Sequence, residues 1–218
     1  MNFPHSQVLG VLLSGGMSER MGQSKALINY HGIPQWLYGL KQLQEICSDY
    51  RISIQSDQQK QSLLESIPLD SLHHFSPEFL VDLMELGTHG PATAFYSMAE
   101  FLGNSAYDFV VVLGVDYPAI TSTDLIPIVE HALNTEKISA FRNPEDGGLE
   151  PLIACYPKQS LLDYAKFHRE NPHASPRKFF QSLQPALLDP LNPWTIQSVD
   201  TPEALRAMQL RIQNNSVR

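Results

Sequence analysis

A glycine pair followed by two basic residues carries the strongest chemical signal in this sequence. Residues 13–25 read Leu-Ser-Gly-Gly-Met-Ser-Glu-Arg-Met-Gly-Gln-Ser-Lys. Gly15 and Gly16 let the backbone turn with exposed N–H groups, which bind anionic oxygens. Arg20 offers a bidentate guanidinium and Lys25 a point charge, and both suit a polyphosphate. The spacing fits neither a GxGxxG dinucleotide fingerprint nor a GxxxxGK[ST] Walker loop. It nevertheless predicts a phosphate-binding loop, the alternative being a glycine-rich turn with two solvated cations.

Two aspartates later in the chain are candidate metal ligands. Asp116 lies in the sequence Val-Asp-Tyr-Pro, just after the apolar run 109–113. A single carboxylate together with phosphate oxygens is a common way to hold Mg²⁺, although a turn or helix-capping aspartate would have the same neighbours. Asp200 precedes Thr-Pro-Glu at the start of the last predicted helix. The residues alone leave Asp200 open between a helix N-cap and a metal ligand.

Short apolar runs alternate with helical patterns along the whole chain. This alternation predicts one three-layer α/β domain over residues 1–218 with a mostly parallel twisted sheet. Ligands of such sheets bind beyond the carboxyl ends of the strands, where both candidate sites would lie. The predicted strands are 8–13, 51–56, 79–82 (with 73–75 competing), 109–113, 138–141, 149–156 and 195–199, and the predicted helices are 34–47, 58–67, 91–102, 121–133, 161–169, 177–183 and 202–213.

Composition excludes several classes of protein. The 218 residues include 15 Lys and Arg against 23 Asp and Glu, a formal charge of −8. An acidic chain is a poor partner for nucleic acid. Cys47 and Cys155 are far apart and form no CxxC, so neither a disulfide framework nor a zinc site is indicated. The sequence has no signal peptide or membrane-length apolar run, so we expect a cytoplasmic protein that binds neither nucleic acid nor membrane.

Five motifs carry a family resemblance. Residues 13–27 resemble the LxGGxSxRMGxDKAL signature of the molybdenum-cofactor guanylyltransferases, which belong to the Rossmann-like nucleotidyltransferase superfamily. Gly90-Pro91 resembles the start of the family's GPLAG segment, and residues 116–118 resemble its DxP metal motif. Residues 150–156 are similar to its xPLxALY strand, and residues 199–203 to its closing VNTPE. The motifs occur in the family's order and cover almost the whole chain, so the resemblance implies a Rossmann-like nucleotidyltransferase fold.

The resemblance implies transfer of GMP from GTP to the terminal phosphate of molybdopterin, with Mg²⁺ required and pyrophosphate released. The N-terminal part would bind the nucleotide and the C-terminal part the acceptor. Cofactor-delivery proteins would be transient partners. The implied catalytic residues are Arg20, Lys25 and Asp116, and the implied metal ligands are Asp116 and Asp200. The implied nucleotide contacts are Leu13, Ser14, Gly15, Gly16, Arg20, Lys25, Gln55 (or Asp57), Asp82, Gly90 and Pro91, and the implied acceptor contacts are Arg177 and Lys178.

Three departures from the family pattern leave the substrates open. Ser24 replaces the aspartate before the family's lysine, Asp200 replaces an asparagine, and Ala94 replaces a glycine. A side chain at Ala94 could crowd a ligand that approaches the backbone. The alternatives are cytidylyl transfer to the same cofactor, nucleotidyl transfer to a sugar phosphate or another small phosphate, and a non-catalytic relative that binds a nucleotide or a partner protein.

Overall fold

Two fully buried strands form the middle of a seven-stranded sheet in the computed structural model, which describes residues 7–15, 17–18, 23–68, 77–83 and 90–216. The strands are β1 (Val8–Leu13), β2 (Met17–Ser18), β3 (Gln23–Ser24), β4 (Asp49–Ile54), β5 (Phe79–Val81), β6 (Phe109–Gly114), β7 (Ser139–Arg142), β8 (Leu149–Pro157) and β9 (Ala186–Leu188). The helices are α1 (Gln35–Gln44), α2 (Asp57–Glu65), α3 (Pro91–Leu102), α4 (Ser122–Thr135), α5 (Lys158–Glu170), α6 (Pro176–Ser182) and α7 (Pro202–Ser216).

The sheet is mixed and mostly parallel, as the sequence predicts. Its order is β5-β4-β1-β6-β8-β7-β9. The pairings β5–β4, β4–β1, β1–β6 and β7–β9 are parallel, whereas β8 is antiparallel to both of its neighbours. Parallel pairing of β5, β4, β1 and β6 brings their four carboxyl ends to one edge of the sheet.

The chain between β1 and α1 is more structured than the sequence predicts. β2 and β3 form a small antiparallel pair, in which Met17 lies opposite Ser24. The short 3-10 helix Lys25–Leu27 follows directly after β3. Lys25 therefore directly follows the β2–β3 pair, whereas the sequence predicts that it lies in a loop.

Apolar side chains alternate between the two faces of the central strands. Leu12 and Val111 pack on one face with residues of α1, α2 and α4. Leu9 and Val110 pack on the other face with residues of α3, α5 and α6. Both faces of the sheet are therefore covered by helices, which confirms the three-layer prediction. Gly10 allows α1 to lie close to β1, because a Cβ atom there would be 3.0 Å from the Cβ of Leu43.

One predicted strand is wrong. The sequence predicts a strand at 195–199, but Pro193–Ile196 forms a 3-10 turn and residues 197–200 are extended without pairing in the sheet. Pro193 favours this turn because its ring fixes φ and it has no N–H for a strand ladder. The edge strand is instead β9, which pairs with β7 and is not predicted from the sequence. The competing strand at 73–75 lies outside the described residues.

The extended segment after the 3-10 turn is tied to the sheet by one backbone hydrogen bond. The N–H of Val199 donates to the carbonyl of Asp116 at 2.9 Å. Val199 also packs with Met208 and Ile212 of α7 in a small apolar cluster. These contacts hold the start of α7 beside the end of β6. Across the residues that the structure describes, no helix combines the length and the apolar character needed to span a membrane.

Candidate nucleotide site

A cavity of about 200 Å³ opens at the carboxyl ends of the parallel strands. It collects residues from six separate parts of the chain. Its walls include Leu13 and Gly15 after β1, Gln55 after β4, Asp82 after β5, and Asp116 after β6. The remaining lining residues are Ser53, Gly90, Pro91, Ala94, Gly114, Val115 and Leu152. Six of the residues that the family resemblance assigns to the nucleotide thus line one cavity together with the assigned metal ligand Asp116.

The most buried charged residue that lines this cavity is Asp82, which is only 5% exposed. Its backbone N–H bonds to the carbonyl of Ile54 at 2.7 Å, and its Oδ1 accepts a hydrogen bond from the Ser53 hydroxyl at 2.7 Å. Burial raises the pKa of Asp82 to about 6, although the bond from Ser53 opposes this rise. A carboxylate placed here is a strong hydrogen-bond acceptor that lines an otherwise largely apolar cavity.

The end of β1 is held by polar residues that the sequence does not single out. The Ser14 hydroxyl donates to the carbonyl of Ser53 at 2.7 Å. The Gln59 side chain donates to the carbonyl of Ser14 at 2.8 Å and accepts from the N–H of Gln55 at 2.8 Å. Ser53 and Gln59 therefore fix the backbone at the mouth of the cavity. The serine between Ile52 and Ile54, in the buried end of β4, is the one sequence feature that could have revealed this role.

Gly90 begins α3 in a conformation that requires glycine. Its φ of 71° and ψ of −148° are accessible to almost no other residue. Pro91 then occupies the first helical position, where its fixed φ suits a helix start. Ala94, one turn later, is buried and lines the cavity. Its methyl group therefore narrows the space that the family's glycine would leave.

Lys25, Asp116 and Asp200 form an ion cluster beside the cavity, which we call the lysine cluster. The Nζ of Lys25 lies 3.0 Å from Oδ1 of Asp116 and also bonds to Asp200. Burial alone would lower the pKa of Lys25, but the hydrogen bonds and charges of the two aspartates raise it above its usual value. Burial raises the pKa of Asp116 despite the opposing effect of Lys25, and the charges of Asp200 and Glu150 add to the rise. The cluster thus concentrates negative charge around one ammonium group.

The hydrogen bonds at the start of α7 bear on the two predicted roles of Asp200, helix N-cap and metal ligand. The N–H of Ala204 bonds to the Thr201 hydroxyl at 3.2 Å, so Thr201 provides the side-chain cap of α7. Asp200 points to other partners, namely Lys25 and the Ser198 hydroxyl, which donates to its Oδ2 at 2.9 Å. Its carboxylate is therefore a member of the lysine cluster.

The predicted acceptor residues lie away from this cluster. Arg177 lines a different cavity, of about 480 Å³. Its guanidinium donates to the carbonyl of Leu149 at 2.7 Å and to Asp146 at 2.5 Å. Lys178 is exposed on α6. Arg177 thus anchors the start of β8, and the structure does not bring either residue to the lysine cluster.

Four further predicted residues have different outcomes. Gly16 and Arg20 lie outside the described residues, so their roles stay predictions. Of the two alternatives after β4, Gln55 lines the cavity, whereas Asp57 is exposed in the first turn of α2. Gln55 also lies close to the backbone of the glycine segment, because a Cβ atom on Gly15 would be 3.2 Å from its Nε2.

Comparisons with known proteins agree on one family. A model described as "MobA-like NTP transferase domain" matches residues 10–186. The "Molybdenum cofactor biosynthesis bifunctional protein" of Synechocystis is 27% identical, over 89% of this chain and 51% of that protein. The "Probable molybdenum cofactor guanylyltransferase" of Nostoc is 28% identical, over 94% of this chain and 91% of that protein.

A solved structure has the same fold. It is described as molybdopterin-guanine dinucleotide biosynthesis protein A from Archaeoglobus fulgidus and superposes with a TM-score of 0.72. The match covers 94% of this chain and 99% of that one at 14% sequence identity. At this identity the similarity establishes the fold alone. The seven-stranded sheet with helices on both faces is therefore the fold of that protein as well.

Proposed function

The chain belongs to the MobA-like NTP transferase family, and from this we propose that it transfers GMP from GTP to the terminal phosphate of molybdopterin. The names of the relatives from Synechocystis and Nostoc support this choice of reaction. The cavity and the lysine cluster are a second line of support. They combine Leu13, near the first residue of the sequence, with Asp200, near the last, so the proposed site needs almost the whole chain as one catalytic unit.

Buried Asp82 is the observation that carries the choice of GTP. The Watson–Crick edge of guanine presents two adjacent donors, N1–H and the 2-amino group, and a carboxylate accepts from both. Cytosine and adenine present only one amino group on that edge, and each places an acceptor next to it. An acceptor facing the carboxylate of Asp82 would be repelled. The cavity therefore favours guanine over either of these bases.

The lysine cluster is suited to the triphosphate and to a divalent cation. Asp116 and Asp200 both contact one ammonium group, so their oxygens are close enough to share a single cation. No group of three or more His, Cys, Asp or Glu side chains with metal-binding geometry occurs in the part of the chain that the structure describes. Mg²⁺ fits this donor set, because it prefers oxygen ligands and is held by one or two carboxylates plus substrate phosphates.

Asp116 and Asp200 would hold Mg²⁺, which when bound neutralises charge on the phosphate oxygens. Lys25 and the backbone after β1 would orient the triphosphate. An oxygen of the acceptor phosphate attacks the α-phosphorus of GTP and forms a new P–O bond. The bond from the α-phosphorus to the bridging oxygen breaks, and pyrophosphate leaves with that oxygen and its electron pair. A phosphate dianion has no proton to lose, so the reaction needs no side-chain nucleophile or general base, only positioning and charge stabilisation.

A nucleotide panel tests the donor substrate. Thermal shifts of the purified chain would be recorded with GTP, CTP, UTP and ATP, each with Mg²⁺. We expect GTP to give the largest shift. A larger shift with CTP would overturn the assignment of guanine and favour cytidylyl transfer.

A turnover assay tests the reaction. Pyrophosphate release from GTP would be measured with and without molybdopterin, for the unaltered chain and for Asp116→Asn. We expect release that depends on the acceptor and falls at least about a hundredfold in the variant. Undiminished turnover in Asp116→Asn would contradict the proposed role of this carboxylate. Tight binding of GTP with no turnover would favour a non-catalytic relative.

A further inference from the structure

A second and larger cavity, of about 560 Å³, borders the lysine cluster. Tyr117, the residue after Asp116, lines it, and so do Ser198 and Val199, the two residues before Asp200. The hydrogen bond from Val199 to the carbonyl of Asp116 joins these two parts of the wall. The lysine cluster thus lies between the nucleotide cavity, which Asp116 lines, and this larger cavity, which we call the α7 cavity.

The lining of the α7 cavity combines hydrogen-bond acceptors with apolar surface. Asn143, Glu145, Glu150 and Gln197 contribute carboxylate or amide groups. Apolar side chains of the neighbouring 3-10 turn and of α7 also line it, namely Ile196, Ala204, Ala207 and Met208, together with Pro144. Among the described residues, Arg211 contributes the one cation of the lining, and its guanidinium lies over the Trp194 ring. A planar heterocycle rich in N–H donors suits such a surface, because its faces contact apolar groups and its edge meets acceptors.

Glu150 is a hydrogen-bond acceptor of this cavity that a neighbouring side chain holds in place. Its side chain is 9% exposed, and its Oε2 accepts a hydrogen bond from the Asn143 amide at 2.7 Å. Burial raises the pKa of the neighbouring Tyr117 hydroxyl, and the carboxylate of Glu150 raises it further. The bond from Asn143 holds the carboxylate in place as a hydrogen-bond acceptor. A buried carboxylate with remaining lone pairs can accept from an amino group and a ring N–H of a ligand.

We propose that the α7 cavity binds the pterin ring of the acceptor, with the acceptor's phosphate directed at the lysine cluster. This inference rests on the proposed function and names the site of its second substrate. A pterin carries a 2-amino group beside a ring N–H, the donor pair that Glu150 can receive. Its place differs from the predicted acceptor site at Arg177 and Lys178.

The cavity beside Arg177 is less suited to this ligand. Apart from Arg177, its lining consists mainly of proline, alanine and phenylalanine, with few acceptors for an amino group. The guanidinium of Arg177 is already bonded to Asp146 and to the carbonyl of Leu149. A phosphate there would have to displace Asp146. The cavity beside Arg177 shares Pro91 with the nucleotide cavity, whereas the α7 cavity is lined by the residues next to Asp116 and Asp200 in the chain, namely Tyr117 and Val199.

A pair of blocking variants distinguishes the two cavities. Ala207→Trp would fill the α7 cavity from an exposed position on α7, and Ala174→Trp would fill the cavity beside Arg177. Leu210→Trp, on the exposed side of α7, adds the same side chain outside both cavities. The probe is fluorescent 6-hydroxymethylpterin phosphate, titrated in the presence of Mg²⁺, and GTP affinity and melting temperature are measured for every variant.

We expect Ala207→Trp to weaken pterin binding and raise the KM for molybdopterin by about tenfold or more, with GTP affinity unchanged. The other two variants should bind the pterin as the unaltered chain does. Loss of pterin binding in Ala174→Trp with retention in Ala207→Trp would overturn the proposal. In either case GTP binding and pyrophosphate release report on the proposed function separately.

A second variant tests the carboxylate of Glu150 as a hydrogen-bond acceptor without adding a larger side chain. Glu150→Gln keeps the shape of the side chain but replaces one acceptor oxygen with a donor. We expect pterin affinity to fall about tenfold or more, since hydrogen bonds to charged groups are the stronger kind. Unchanged pterin affinity in both Glu150→Gln and Ala207→Trp, with intact melting curves, would exclude the α7 cavity as the acceptor site.

Discussion

Replacing Asp82 with asparagine should make the protein more stable and its binding of GTP weaker. Burial raises the pKa of this carboxyl from 3.8 to about 6, which means that the folded state disfavours the charged form. The difference corresponds to a destabilisation of about 3 kcal/mol at neutral pH. Asp82→Asn removes the charge and keeps an oxygen that can accept the hydrogen bond from Ser53. Because the new amide still needs a partner, we expect a net gain in the free energy of unfolding of about 1–3 kcal/mol.

The sign of the effect depends on pH. Between pH 4 and pH 6 the folded state binds a proton at Asp82 that the unfolded state has lost, so the unaltered chain loses stability as the pH rises through this window. The variant lacks this contribution. The gain should therefore be present at pH 7.5 and absent below about pH 3, where the carboxyl is neutral in both states.

Urea denaturation at several pH values and GTP titration would measure the two effects together. Loss of a charge-assisted hydrogen bond to guanine should lower the affinity for GTP by about 10–100-fold. Asp57→Asn is a matched comparison, because Asp57 is exposed outside the cavity and should show neither effect. The reasoning would be refuted if Asp82→Asn lost stability at pH 7.5, or if it bound GTP as tightly as the unaltered chain.

Three other substitutions have defined outcomes. Lys25→Met should lower the melting temperature, because Asp116 and Asp200 would face each other without a cation. Millimolar Mg²⁺ should restore much of the lost melting temperature. A melting curve that does not respond to Mg²⁺ would argue against a cation site shared by the two carboxylates. Asp200→Asn, which restores the family's residue, should fold with an unchanged α7 cap and lower the pKa of Asp116, which NMR titration of its carboxyl would detect. Gly90→Ala should cost about 1–3 kcal/mol of unfolding free energy in urea, because its φ is 71°.

The central strands could be predicted from the sequence because strands buried on both faces consist almost entirely of apolar residues. β1 and β6 are buried on both faces, and such strands read as uninterrupted apolar runs. β9 leaves no comparable trace, since it has three half-buried residues and pairs only with β7. The alternating pattern at 195–199 resembles a strand, but the turn at Pro193 and the backbone bond of Val199 to Asp116 decide its structure. Short edge elements depend on such tertiary contacts.

In the candidate site, too, some residues could be predicted from the sequence and others only from tertiary contacts. Lys25 and Asp116 belong to recognisable motifs, and the parallel strands bring Asp82 and Asp116 to one edge as the topology requires. An ion pair with Asp116 then places Lys25 beside them. Ser53 acts through a contact with Asp82, 29 residues later, and the bond of Glu150 to Asn143 spans the loop between β7 and β8, so only the structure shows which groups they contact. The assignment of Arg177 to the acceptor relied on its place in the family pattern. Its bonds to Asp146 and Leu149 could not be inferred from that place.

The lysine cluster explains how an acidic protein can hold a polyphosphate. The chain has a formal charge of −8, and two carboxylates lie where the triphosphate is proposed to bind. Two like charges about 4 Å apart near a protein surface repel by about 4 kcal/mol, so a nucleotide carrying several charges would be excluded from bare aspartates. Lys25 neutralises only one of the two carboxylates. The excess negative charge of the site repels a free triphosphate and attracts a divalent cation. The nucleotide and the metal should therefore bind cooperatively, and the affinity of the site for either one alone should be low.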